Sequence, residues 1–197
     1  MGAYDQSKIP LSDDLQAVVA ILDSISKEFS VDPNRIYVSG LSMGGFATWD
    51  LITRYPTRFA AAVAVCGAGD TTQAGVISKV PVWAFHAADD PTVTVAGSRN
   101  MVNALIRAGS KPEYTEYPAT LKIGHGSWVP AGKTPGLNPW VFSQTRATTT
   151  IRLDHAPAGG SGSKPVGWHF LAGSLLAPRG TGPGIKVDGM GRLRVLK

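Results

Sequence analysis

The hexapeptide Gly40-Leu41-Ser42-Met43-Gly44-Gly45 stands between a strand-like run, Arg35-Ile36-Tyr37-Val38-Ser39, and a helix-like run from Phe46 to Arg54. A chain that leaves a buried strand and enters a helix within so few residues has few backbone solutions. The Gly-x-Ser-x-Gly order belongs to one of them, in which a strained turn pushes the serine Oγ out above the sheet. Glycines on both sides of Ser42 are expected, because a Cβ there would collide with the strand and helix meeting at the turn. The motif alone is equally compatible with an inert Gly/Ser turn. The flanking strand and helix, and candidate partners downstream, favour Ser42 as a nucleophile.

The surrounding pattern alternates strands with helices. Ser12-Asp13-Asp14 offers an N-cap and an acidic first turn, after which Leu15, Val18, Val19, Leu22, Ile25 and Phe29 recur at helical spacing. Phe59 to Val65 is a continuous apolar run, expected of a parallel strand covered on both faces. Val80 to Phe85 reads as another strand, Ser98 to Ala108 as a helix closed by Gly109, Glu113 to Tyr117 as a short strand, and Asn138 to about Arg146 as a last helix. The predicted fold class is α/β: a parallel, doubly wound sheet with flanking helices and a site at the carboxyl ends of its strands.

This core is expected to span 1–146, followed by a basic Gly/Pro-rich tail over 147–197. Ala156 to Pro165 and Pro178 to Gly184 read as flexible stretches, and Ile185 to Leu196, which alternates about Asp188-Gly189, reads as a hairpin. The net charge of +5 divides unevenly: residues 1–145 carry 11 Lys/Arg and 12 Asp/Glu, and residues 146–197 carry 8 and 2. Positive charge scattered among Gly and Pro without a helical stripe does not read as a nucleic-acid surface. No run of apolar residues is long enough to span a membrane, and the first ten residues lack the pattern of a signal peptide. The lone Cys66 lies in an apolar run and reads as a buried, inert thiol. The histidines and Cys66 do not fall at metal-ligand spacing, and no phosphate loop or dinucleotide fingerprint occurs, so no cofactor is expected.

A serine hydroxyl needs a histidine to take its proton, and that histidine needs a carboxylate to hold its tautomer. His125 lies in the Gly-bounded loop Gly124-His125-Gly126-Ser127-Trp128 after the last short strand, where such a base belongs. His86 ends a strand and reads as a structural residue under the acid loop, while His155 and His169 lie in the tail. Asp89 and Asp90 stand side by side in the preceding loop; neighbours in a turn point apart, so one can face His125. Asp90, directly before Pro91, is preferred over Asp89.

Val31-Asp32-Pro33-Asn34-Arg35-Ile36-Tyr37, the Gly40–Gly45 turn, Tyr55-Pro56-x-Arg58-Phe59-Ala60, Trp83-Ala84-Phe85-His86, Tyr114 to Pro118 and Gly124-His125-x-Ser127-Trp128 resemble α/β-hydrolase esterases of the polyhydroxybutyrate-depolymerase and feruloyl-esterase-like group. The resemblance covers residues 12–146 and implies carboxylic-ester hydrolysis with Ser42 as nucleophile, Asp90 as orienting acid and His125 as base. It also implies that a parent protein of this kind is secreted, and that Trp128 packs beside the base.

In such a group the chain would begin with further strands and a His-Gly loop that supplies half of an oxyanion hole. On that reading this chain lacks the N-terminal strands. The Met43 N–H is one oxyanion donor, and the second has no visible source. The Arg35–Ser39 strand then lies at a sheet edge, to be covered by the tail hairpin or by a second copy in a homodimer. Gly67, Ala68 and Trp128 are the candidate pocket residues. The expected substrate is a short-chain or polymer-displayed ester at an open, lidless site. A catalytically weak remnant that binds without turnover is the alternative, and a serine peptidase ranks below both.

Overall fold

The computed structural model describes residues 9–146 and the backbone of 184–187 and 193–196. Two compact units divide the chain, Met1–Thr150 and Ile151–Lys197. In the first, α1 (Asp13–Glu28) is followed by β1 (Tyr37–Leu41), α2 (Met43–Arg54), β2 (Ala61–Val65), β3 (Val82–Ala87), α3 (Ala96–Arg107), β4 (Glu113–Tyr117), α4 (Trp128–Ala131) and α5 (Leu137–Ser143). The four strands form one parallel sheet in the order β1-β2-β3-β4.

Sequence order equals spatial order, so every connection must cross a face of the sheet; α2 joins β1 to β2 and α3 joins β3 to β4, while the β2–β3 connection holds only a short 3-10 turn at Thr71–Gln73. Residues on alternate sides of a strand therefore meet different helices. Ala62, Ala64, Val82 and Ala84 face a core shared with Trp49, Leu51 and Ile52 of α2 and Met101, Val102 and Leu105 of α3, onto which Leu15, Val19 and Leu22 of α1 also pack. Val63, Val65 and Phe85 point the other way, toward Ala131 of α4 and Leu137, Trp140 and Val141 of α5. There Trp83 stacks on Phe85 at 5.2 Å and meets Trp140 edge-on at 5.4 Å.

Burial follows strand position. All five residues of β2 are buried, as the apolar run predicts, whereas β1 and β4 at the sheet edges are only partly covered. The Ser12 hydroxyl accepts from the Leu15 N–H, capping α1 as expected. Gly109, with φ +83°, ends α3 in the left-handed region; its N–H donates to the Ile106 carbonyl and that of Ser110 to the Leu105 carbonyl.

The structure moves several boundaries. β1 begins and ends two residues later than its sequence pattern suggests, and α2 begins at Met43 rather than Phe46. Gly40 and Leu41, read as turn, are instead laddered to Ala64 and Val65. A glycine need not leave a strand when the neighbouring strand still offers hydrogen bonds. The short α4 was not foreseen; Pro130 in its sequence conceals it.

In the second unit, β5 (Gly184–Val187) and β6 (Leu193–Leu196) pair antiparallel, with Val187 opposite Leu193. Residues 188–192, which include Asp188-Gly189, lie outside the described residues. The stretches at 156–165 and 178–183, and His155 and His169, lie outside the described residues. Among the described residues no helix is long and apolar enough to cross a membrane.

Ile52 is fully buried between α2 and the sheet. Ile52→Ala should cost about 2–5 kcal/mol of unfolding free energy. Urea denaturation followed by tryptophan fluorescence measures it; a loss well under 1 kcal/mol would mean that this core is not close-packed.

Candidate active site

Because β1 runs to Leu41 and α2 starts at Met43, Ser42 alone makes the connection. Its backbone takes φ +53° and ψ −118°, a conformation that side-chain-bearing residues avoid at a cost on the order of 1–3 kcal/mol. Three hydrogen bonds hold it there. The Ser42 N–H donates to the Val65 carbonyl at 2.9 Å, and the Ser42 carbonyl accepts from the N–H groups of Gly45 at 2.8 Å and Phe46 at 3.1 Å.

Two glycines give the turn its room. A Cβ on Gly40 would lie 2.1 Å from the Gly44 carbonyl oxygen, and one on Gly45 would lie 2.5 Å from that of Val65. Gly44 departs from the sequence expectation, since nothing lies within 4 Å of a Cβ placed on it. The steric demand falls instead on Gly45, where the first turn of α2 presses onto the end of β2.

The turn carries Ser42 Oγ to 2.9 Å from His125 Nε2, and His125 Nδ1 lies 2.8 Å from Asp90 Oδ2. The other Asp90 oxygen accepts from the N–H groups of Thr92 and Val93, each at 2.9 Å. The Asp90 side chain is fully buried and that of His125 is 22% exposed. Burial pushes the Asp90 carboxyl upward, but the hydrogen bonds from His125 and from the Val93 and Thr92 N–H groups outweigh it and hold the group below the usual carboxylate value.

Asp89, the alternative acid, does something different: its Oδ2 accepts from the Gly124 N–H at 3.1 Å. The two adjacent aspartates thus divide between the imidazole and the backbone of the loop that carries it. Gly124 enters that loop with φ +57°. Trp128 meets the His125 ring edge-on at 5.3 Å and 87°.

Of the candidate pocket residues, Ala68 joins Met43 and Phe46 in lining an open cavity of about 810 Å³, with Asp14, Asp50 and Asp70 supplying carboxylates. Gly67 and Trp128 lie outside that lining. Gly67 is pressed against the turn instead, since a Cβ on it would come 2.4 Å from the Gly45 carbonyl carbon. Met43 is 82% exposed, and as the first residue of α2 its N–H is among those a helix leaves without an internal acceptor.

The proximity of two neighbours escaped the sequence reading. Cys66, buried with φ +42°, follows β2 directly beneath the site, and burial pushes its thiol up, in keeping with an inert group. Its Sγ, an Asp90 oxygen and a His125 nitrogen lie within 4.8 Å of one another, the one group of potential metal ligands among the described residues. An ion held there would compete with the His125–Asp90 hydrogen bond. Ser98 of α3 is the second, fully buried beside His86. Only sequence separation concealed these contacts.

A model of the prolyl oligopeptidase family matches residues 8–83. A solved thermostable esterase superposes on 68% of this chain and 38% of its own with a TM-score of 0.66 and 43% identity. The chain has the α/β-hydrolase fold. Among curated relatives, feruloyl esterase B of Piromyces equi is 25% identical over 173 residues, covering 81% of this chain and 31% of that protein. Poly(3-hydroxyalkanoate) depolymerase C of Paucimonas lemoignei is 37% identical over 51 residues, covering 26% of this chain and 12% of that protein. The chain therefore spans less than a third of the length of either relative.

Two consequences are measurable. Gly45→Ala should destabilise the fold by about 1–3 kcal/mol, with Gly44→Ala costing less; equal losses in urea would contradict the assigned crowding. Asp90 sits lower in the folded state than unfolded, so its contribution is present above the unfolded value and fades as pH falls through the folded one. The stability difference between the native chain and Asp90→Asn should accordingly shrink below about pH 4. Denaturation midpoints over an acid pH series read this out, and a constant difference would oppose it.

Proposed function

We propose that this α/β-hydrolase cleaves carboxylic esters through an acyl-enzyme, with Ser42 as nucleophile, His125 as general base and Asp90 as the carboxylate that orients it. The observation that carries the reading is the unbroken line of hydrogen bonds from Ser42 Oγ through both His125 nitrogens to Asp90 Oδ2, at 2.9 and 2.8 Å. Similarity to an esterase over 68% of the chain supports the same chemistry.

In this mechanism Ser42 Oγ attacks the ester carbonyl while its proton passes to His125 Nε2. Asp90, accepting from Nδ1, keeps Nε2 unprotonated at rest and stabilises the imidazolium that forms. The Met43 N–H, at the positive end of α2, donates to the oxyanion of the tetrahedral intermediate. His125 then protonates the leaving alcohol, and a water that it activates releases the acid.

The cavity beside Met43 receives part of the substrate. Its carboxylates disfavour an anionic acyl group, and its open form suits a short-chain or polymer-displayed ester. The names of the feruloyl esterase and the polyhydroxyalkanoate depolymerase lend support to the latter. The match to the prolyl oligopeptidase family over residues 8–83 favours a second reading, a peptidase using the same three side chains. Relative rates on a p-nitrophenyl ester and a peptide p-nitroanilide decide between them.

Ser42→Ala should lower turnover of p-nitrophenyl acetate by a factor of about 10⁴ or more while leaving the fold intact. Full turnover in the folded variant would sink the assignment. Labelling by a fluorophosphonate separates a slow hydrolase from a module that only binds, since the latter leaves Ser42 unmodified.

A further inference from the structure

His86 is fully buried, yet both of its ring nitrogens are engaged. Nε2 lies 2.9 Å from the Val93 carbonyl oxygen and 3.4 Å from Asp90 Oδ2. Nδ1 lies 2.8 Å from Ser98 Oγ, which donates to the Gly67 carbonyl at 3.0 Å. Carbonyl oxygens only accept, and a hydroxyl has one proton to give. The Val93 carbonyl therefore accepts a hydrogen bond from Nε2–H, and the Gly67 carbonyl accepts one from the Ser98 hydroxyl. With that proton committed, Ser98 Oγ can only accept from Nδ1. Turning the hydroxyl toward Nδ1 instead would break the Gly67 bond in a buried site, which is costly. The accounting closes with a proton on each nitrogen of His86.

Charge balance favours the same result. The Asp90 side chain is fully buried, and its ion-pair partners among the described residues are His86 and His125. A nearby cation stabilises a buried carboxylate beyond what hydrogen bonds such as those from the Thr92 and Val93 N–H groups supply. His125 cannot supply it at rest, because a base for Ser42 must be neutral. Glu116 of β4, in register with His86, also faces this region as an anion, and Arg99 of α3 holds it by two hydrogen bonds of 2.8 and 2.6 Å.

We propose that His86 is a buried imidazolium that balances the charge of Asp90, so that His125 rests neutral. It is a positioning residue, acting through Asp90 without touching substrate. This role rests on reading Ser42, His125 and Asp90 as the reacting line. The same ring links two parts of the site, since its other nitrogen reaches through Ser98 to Gly67, the residue pressed against Gly45.

The decisive measurement is the ring ¹⁵N spectrum of the full chain near pH 7, assigned with His86→Gln. Two protonated, imidazolium-type nitrogens on His86 are expected. One pyridine-type nitrogen would overturn the proposal. The pH profile of kcat/KM gives an independent readout. His86→Gln keeps a donor toward Val93 but removes the charge, so His125 holds its proton more readily and the acid limb should move up by about 0.5–1 pH unit. A merely structural role would lower activity without moving the limb, and that result would also overturn the proposal. Should His86→Gln fail to fold, the native spectrum still decides. Turnover retained by Ser42→Ala would defeat the ester-hydrolase reading and with it the positioning role, while the spectrum separately judges the charge on His86.

Discussion

The bend at Ser42 is the constraint on which the remaining architecture depends. A single residue turns the chain from β1 into α2, and its backbone is held in an unfavourable region by the end of β2. That hold works only if the helix start can approach β2 closely, which is why Gly45 and Gly67 lie against each other and why β2 is built largely of alanine. Strain at one position is thus sustained by close packing at several others. The serine is aimed by the sheet and not by its own rotamer alone.

The carboxyl ends of the four strands each contribute one part of the site. Ser42 follows β1, Cys66 and Gly67 follow β2, Asp90 follows β3, and His125 lies in the loop region after β4. Parallel strands bring these ends to one side of the sheet, so residues far apart in sequence meet without any long excursion. The same geometry places His86, still within β3, directly beneath the acid that β3 delivers. Proximity of this kind follows from topology before any side chain is considered.

Much of this was legible in local sequence. The helical spacing of Leu15, Val19 and Leu22, the apolar run of β2 and the left-handed Gly109 each express a one-element rule, and each element lies where its rule puts it. Ser42, Asp90 and His125 could be singled out from the motif and from loop position, and the structure brings them within hydrogen-bonding distance. Local pattern misled where neighbours decide. Gly40 reads as a breaker, but β2 keeps it in the ladder; Gly44 reads as sterically required, but the crowding falls on Gly45. The task of Asp89, on the Gly124 N–H, and the contacts of Cys66 and Ser98 depend on spatial juxtaposition that no spacing rule encodes.

The first helix gives the cavity a character of its own. No residue of α1 is fully buried, and Val18, Ile21 and Ile25 are exposed, whereas α2 and α3 each contribute several buried residues. A helix with so little buried surface has a low free energy of local opening, well below that of the sheet it leans on. Asp14 and Leu15 near its start form one wall of the cavity, while Met43 and Phe46 on α2 belong to the more firmly packed side. Amide exchange in α1 would therefore report on the breathing of the cavity wall, independently of Ser42, His125 and Asp90, which are not part of its lining. The wall that α1 gives the cavity and the alignment of Ser42, His125 and Asp90 thus rest on different packing within the same chain.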